Sequence, residues 1–406
     1  MDLKPHVEEL YPGTGIQSVV FADPDPSAPP VPPLSPGSGG ASAQNVLILY
    51  TGGTMGMRVN AEGALAPERG YLTEKILSME ELRTNSGMPR CHIKEYSPLI
   101  DSADMGHDEW CLVAQDIADN YYRFDGFVVI CGTDTMSYAS TALSFMLENL
   151  GKTVVFTGSQ IPFCEVYNDA RRNLIASLIF AANSDFSEVT LFFDRLLLRA
   201  NRSKKGNAFG LDAFDSPNFP PLARLGVNVE SRRDLGIRAP TGALRLHKQM
   251  ERGVVCVRLI PGFEDEPLMA MVEHSQSLRA LVLEMYGTGN APSGKNRLFK
   301  VLDKCHEKGI IVVATTQCEK GCVLFGKYAV ANELANKGVI SGGDMTAEAA
   351  AAKLAYLIAK VGSDRNKIKE LFAVSLRGEI SDEGQYKVGI FNANPMGMLG
   401  PGNNWL

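Results

Sequence analysis

Three stretches in the first half of the chain set hydroxyl-bearing and acidic side chains beside glycine: YTGGTMGM at 50–57, CGTDTMSY at 131–138 and FTGSQIP at 156–162. Each follows a short run of β-branched and other apolar residues, so each is expected to be the loop that leaves a strand. Glycine lets a ligand approach the backbone closely, and the N–H groups it uncovers can serve an oxyanion. Taken singly, Gly, Thr and Asp after a strand are ordinary turn and helix-capping residues. Together they bring Thr51, Thr54, Thr133, Asp134, Thr157 and Ser159 to one edge, which is more than turns require.

Such a group could perform acyl transfer by a hydroxyl. A hydroxyl is a weak nucleophile near neutral pH unless a base takes its proton. No histidine-based triad is legible: His107 and His274 lie in helical, acidic surroundings, and His6 sits near the N-terminus. The other available base is a lysine kept neutral by burial or by neighbouring cations, with Asp134 to hold it in place. The run NRSKKGNAFG at 201–210 offers two, Lys204 and Lys205, and the residues alone do not choose between them.

Other chemistries find little support. With six histidines and no HExxH, a catalytic metal has few ligands. Cys318 and Cys322 are separated by three residues, whereas zinc ribbons need two closer pairs and redox sites need two intervening residues. GNAPSGK at 289–295 fits a phosphate-loop spacing, but Asn296 stands where a magnesium-binding hydroxyl is needed and Pro292 removes one N–H from the cradle. No metal or nucleotide is therefore expected.

The elements that must position these loops alternate. Strands are expected at 45–50, 127–131, 153–157, 189–193, 254–258, 281–285 and 310–314, continuously apolar as strands covered on both faces are. Helices are expected at 107–123, 137–150, 168–183 and 345–361; in the first, Trp110, Val113, Ala114, Ile117, Ala118 and Tyr121 share one face. Alternation of this kind predicts two α/β domains: a larger N-terminal one with a doubly wound, mostly parallel sheet at 45–230, and a smaller parallel one at 253–385. A polar linker (231–252) divides them, a Pro-rich disordered leader (1–44) precedes them, and a Gly/Asn/Pro-rich tail (386–406) follows.

Composition agrees with a packed protein: 406 residues, 45% hydrophobic and 21% charged. Forty Lys+Arg against 46 Asp+Glu, without a basic block, argue against nucleic-acid binding, which needs clustered cations. The absence of a signal-type N-terminus or an apolar run of spanning length argues against a membrane, and the scattered thiols suit a reducing, cytoplasmic setting.

The runs YTGGTMGM, DSADM (101–105), GTDTMSY, LSFMLENLGK (143–152), TGSQIP, DAFDSPNFPPL (212–222), YGTGNAP (286–292) and LRGE (376–379) resemble the asparaginase family, specifically its bacterial cytoplasmic type, from about residue 45 to 380. The resemblance implies a two-domain α/β fold and hydrolysis of L-asparagine to aspartate and ammonia without a cofactor. It implies Thr54 as nucleophile on a mobile loop, and Thr133, Asp134 and Lys205 as a second group around the scissile amide. Ser102, with the backbone of Asp101 and Ala103, would hold the substrate's α-carboxylate, and Asp134 its α-ammonium. Asn290 would reach a neighbouring copy, making a homodimer or homotetramer the implied assembly. The alternative assignment, Thr133 attacking first, stays open.

Three departures are visible. Cys131 replaces the usual His before GTDT. The lid tyrosine falls at Ala64 and Leu65, leaving Tyr71 as a possible substitute. At the second asparagine site of regulated relatives, Lys204 replaces Thr and Glu284 replaces Arg, a charge reversal expected to abolish or remodel that site. Rivals on the same fold are a glutaminase-type amidohydrolase, the ammonia-donating subunit of the archaeal glutamyl-tRNA amidotransferase and the eukaryotic fusions also described as lysophospholipases. The last two carry additional domains, for which residues 1–44 are expected to be too short and too Pro-rich. A binding module that had lost catalysis should lack one of Thr54, Thr133, Asp134 or Lys205, and all are present.

Overall fold

A computed structural model describes residues 7–9, 13–19, 44–84, 87–183, 186–292, 297–326 and 329–381. The larger sheet has ten strands in the order Val7–Glu9, Ile16–Val19, Arg90–Glu95, Asn45–Tyr50, Gly126–Ile130, Val154–Thr157, Val189–Phe193, Leu196–Arg199, Ala223–Leu225 and Val229–Ser231. The five from Arg90–Glu95 to Val189–Phe193 are parallel, and antiparallel strands extend both edges. Because successive side chains alternate faces, Leu47, Leu49, Phe127 and Val129 enter one core layer and Val46, Ile48, Val128 and Ile130 the other. Both layers are covered by helices, which is why these strands read as unbroken apolar runs.

The chain runs from Asn45–Tyr50 to its neighbour on one side, Arg90–Glu95, and then crosses to Gly126–Ile130 on the other. That reversal opens a crevice at the carboxyl ends of the strands ending at Tyr50 and Ile130, the usual place for a ligand in such sheets. The second sheet is fully parallel, Val254–Arg258, Ala280–Met285, Ile311–Thr316 and Ile340–Ser341, and helix Ala347–Val361 packs it against helix Met136–Met146 of the first domain.

Several expectations change. The strands Val7–Glu9 and Ile16–Val19 fall within the expected leader; Ile16 is buried, and the pair occupies the open edge of Arg90–Glu95 through Ile16↔Lys94 and Ser18↔His92, satisfying backbone groups that an edge leaves free. The Pro-rich stretch 23–40 and the tail 386–406 lie outside the described residues, as do Lys295 and Asn296 of the phosphate-loop spacing. The helix expected at 137–150 ends at Met146, because Leu147–Glu148 pair with Arg245–Leu246. That pairing also docks the 231–252 stretch on the first domain. Strand Arg90–Glu95 was not anticipated; its charged, alternating residues conceal it. Among the described residues no helix is long and apolar enough to cross a membrane.

Candidate active site

Three glycine loops meet backbone to backbone at the crevice. Beyond Tyr50, the N–H and hydroxyl of Thr51 both donate to the carbonyl of Ile130, at 2.9 and 3.1 Å. Gly53, at φ +96°, then presses on the next loop so closely that a Cβ would lie 2.4 Å from the nitrogen of Gly132. Gly132 in turn faces Ser102, whose Oγ would be 2.4 Å from a Cβ at that position. Only glycine permits either approach. The outcome is a short 3-10 turn, Thr54–Gly56, held from beneath by the N–H of Phe163 donating to Met55 O at 3.0 Å. Thr54 is half-buried, and its hydroxyl has no hydrogen-bond partner among the described residues.

Lys205 reaches the neighbouring loop. It lies on the two-residue strand Lys204–Lys205, paired antiparallel with Phe214–Asp215 of the DAFDSPNF run. Its Nζ donates to Thr133 Oγ1 at 2.8 Å and to Asp134 Oδ1 at 2.7 Å. Successive strand residues face opposite sides, so Lys204 makes neither bond. Thr133 is 7% exposed and the Lys205 side chain 17%, whereas the Asp134 side chain, though bonded to Lys205, is 74% exposed at the mouth of the crevice.

The turn at 101–104 is fastened to the same loop. The Asp101 side chain caps Ser102–Asp104 by accepting from Ala103 N at 2.9 Å, and Thr135 Oγ1 donates to Ser102 O at 2.6 Å. Ser102 is buried between loops, while Asp101 and Ala103 are exposed beside it. Asn290 sits apart, exposed on the loop after the second-sheet strand Ala280–Met285, with its Oδ1 accepting from Ala291 N. None of its hydrogen bonds joins the Thr133–Lys205 group.

Not every hydroxyl at this edge is available. Thr51 is bound to Ile130 O, Thr157 donates to Phe192 O at 3.0 Å, and Ser159 is buried without a partner among the described residues. The residue that sequence reading passed over is Gln160. Its Oε1 lies 3.4 Å from Thr133 Oγ1, and its Nε2 donates to Ala208 O and Gly210 O, joining the third glycine loop to the loop after Lys205. Its presence in TGSQIP is the available signal.

Cys131, in place of the expected histidine, is 2% exposed and its thiol is pushed up to about 12 by burial, so it stays protonated and inert. Tyr71 is not a free lid residue: it is buried at the start of helix Tyr71–Ser78, with the Arg58 guanidinium 5.1 Å above its ring. His107 packs on Trp110 and His274 ends helix Glu266–His274, both away from the crevice loops. Among the described residues no three His, Cys, Asp or Glu side chains cluster as metal ligands.

Comparison with known proteins matches two family descriptions in order along the chain: "Asparaginase, N-terminal" over residues 45–235 and "Glutaminase/Asparaginase C-terminal domain" over 253–372. The chain is 42% identical over 340 residues to L-asparaginase 1 of Escherichia coli strain K12, covering 84% of this chain and 99% of that protein. It is 40% identical to the 60 kDa lysophospholipase of Mus musculus, covering 83% of this chain and 63% of that one. The crystal structure of L-asparaginase I from Vibrio cholerae superposes with a TM-score of 0.77 at 40% identity, over 84% of this chain and all of that one.

Proposed function

The chain belongs to the asparaginase family, and we propose that it hydrolyses L-asparagine to L-aspartate and ammonia at the crevice formed by the three glycine loops. The observation that carries the reading is Lys205 Nζ bonded at once to the Thr133 hydroxyl and to Asp134.

An amino-acid headgroup is zwitterionic, so its site needs an anion and a set of donors. The exposed Asp134 carboxylate receives the α-ammonium, and the 101–103 turn, with Ser102, receives the α-carboxylate. The side-chain amide then lies between Thr54 and Thr133. Thr54 Oγ1 attacks the amide carbon, N–H groups of the 52–54 turn stabilise the oxyanion, and the C–N bond breaks as the nitrogen takes up the proton that the Thr54 hydroxyl gives up and leaves as ammonia. A water activated by the Thr133–Lys205 pair next attacks the β-aspartyl ester and restores the Thr54 hydroxyl. The unpartnered Thr54 hydroxyl favours it as first nucleophile over Thr133, which already accepts from Lys205.

The reading includes a homodimer or homotetramer in which Asn290 approaches a neighbouring copy, and a cytoplasmic setting. It includes no cooperative response to asparagine: Glu284 is ion-paired with Arg258 at 3.7 Å rather than offering a cation to a carboxylate. Ammonia release from L-asparagine and, separately, L-glutamine, by the wild type, Thr54→Ala and Lys205→Met tests it. Turnover of asparagine lost in both variants is expected; a wild type silent on both amides would overturn it.

A further inference from the structure

Lys205 is carried by a hairpin of only two paired residues on each arm, Lys204–Lys205 against Phe214–Asp215. Two pairs of residues cannot hold a lysine tip to within a fraction of an ångström, so the precision must come from outside the hairpin.

Both arms lead to one residue of the second domain, the upstream arm to its carboxylate and the downstream arm to its backbone carbonyl. Upstream of Lys205, Arg202 is 2% exposed and its Nη1 lies 2.8 Å from Asp344 Oδ1; Asp344 itself is 5% exposed and follows the short strand Ile340–Ser341. Downstream of the partner arm, Asn218 Nδ2 donates to the backbone carbonyl of Asp344 at 3.0 Å. The segment 378–381 closes the same knot. Ser381 donates from its hydroxyl to Asp344 Oδ2 at 2.7 Å and accepts from Arg202, while Arg202 Nε donates to Gly378 O at 3.0 Å. The LRGE turn that supplies Gly378 is itself anchored to helix Ala347–Val361 by the fully buried pair Lys353–Glu379.

A buried ion pair is weak evidence for stability, because desolvation offsets the attraction, and the best-attested reason to keep one is registry. The hydrogen bonds here fit that purpose, since Arg202 Nε and Nη2 donate to Gly378 O and Ser381 Oγ in fixed directions and Ser381 in turn donates to Asp344. We propose that Asp344 is a positioning residue for Lys205, through which the second domain holds both arms of the Lys205 hairpin and so sets the contact of Lys205 with Thr133. The proposal rests on the function inferred above, to which it adds the reason that catalysis by first-domain residues requires the second domain.

The test compares full-length wild type with Asp344→Asn, and with the milder Ser381→Ala in case the first does not fold. Val282→Ala, in the core of the second sheet, is the control for general destabilisation. Two quantities are read: kcat and KM for asparagine, and acetylation of Lys205 by acetic anhydride at fixed pH, by peptide mass spectrometry, relative to the exposed Lys369. In both clamp variants kcat should fall, about 10- to 100-fold for Asp344→Asn, with KM within about twofold, since a misplacement near 1 Å has costs of that order. Lys205 acetylation should rise in the same variants and stay unchanged in Val282→Ala. Unchanged acetylation in the clamp variants overturns the proposal, as does raised acetylation with kcat intact. A wild type that releases no ammonia from asparagine defeats the function proposed above, and acetylation alone then decides whether Asp344 places Lys205.

Discussion

Replacing Lys205 with methionine removes the charged tip and keeps most of the aliphatic stem. The structure separates its cost to the fold from its cost to turnover. In the resting fold Lys205 makes two bonds, and its ion-pair partner Asp134 is 74% exposed, so water can replace the ammonium around that carboxylate. Ion pairs with so solvated a partner contribute about 0–1 kcal/mol, and the stability loss should stay below about 1 kcal/mol. The same Nζ is the only basic side-chain nitrogen bonded to Thr133 among the described residues. Losing a positioned proton-transfer group reduces rates about 10²- to 10⁴-fold, roughly 3–5.5 kcal/mol of barrier. The assay is steady-state ammonia release from asparagine, run beside thermal unfolding of the same preparations. The expected result is kcat down by at least about 10²-fold with little change in melting temperature. Activity within a few-fold of wild type would refute the assignment, and so would a loss of activity matched by unfolding.

Other consequences are as specific. Gly53→Ala and Gly132→Ala place a Cβ 2.4 Å from Gly132 N and from Ser102 Oγ; each should abolish ammonia release while the circular dichroism stays native, and an active Gly53→Ala would mean the loops need not touch. Cys131, at 2% exposure and with its thiol pushed up to about 12, should escape iodoacetamide at pH 8 in the folded protein, whereas the exposed Cys164 and Cys318 should react; peptide mass spectrometry reads the difference. Burial holds His92, His107 and His247 below the ordinary histidine value. Their unfolded forms take up protons first as pH falls through about 6.5, so the stability they contribute is complete above that value and declines below it. The melting temperature should therefore drop between about pH 7.5 and 5.5, and a variant with all three replaced by glutamine should show a flatter profile; an equally steep one would rule out these histidines as the cause. Finally, the initial rate against asparagine should be hyperbolic, given Glu284 paired with Arg258, and a sigmoidal curve would contradict the proposed loss of regulation.

Much of the site was legible because local chemistry repeats. A strand followed by glycine and a hydroxyl is a sequence-local pattern, and the three such loops do converge, as a parallel sheet requires of loops at one edge. The six groups named there did not prove equivalent, however. Thr51 and Thr157 are consumed by neighbouring carbonyls, and that depends on register between strands rather than on either loop's own residues. Gln160 was missed for the same reason, since its partners Ala208 and Gly210 lie about fifty residues away.

The sequence by itself determined the alternation of strands and helices, the two-domain division, the glycines where backbones must touch, and a short list of groups able to do acyl transfer. These follow from hydrophobic period and from residue conformational limits, which act over a few positions. Only the tertiary structure decided between Lys204 and Lys205, seated Ile16–Val19 on an open sheet edge, packed Tyr71 beneath Arg58, and brought Asp344 to both arms of the Lys205 hairpin. Each of those outcomes is a contact between residues far apart in the chain. Its energy depends on distance, facing and burial, quantities that exist only once the sheets have closed.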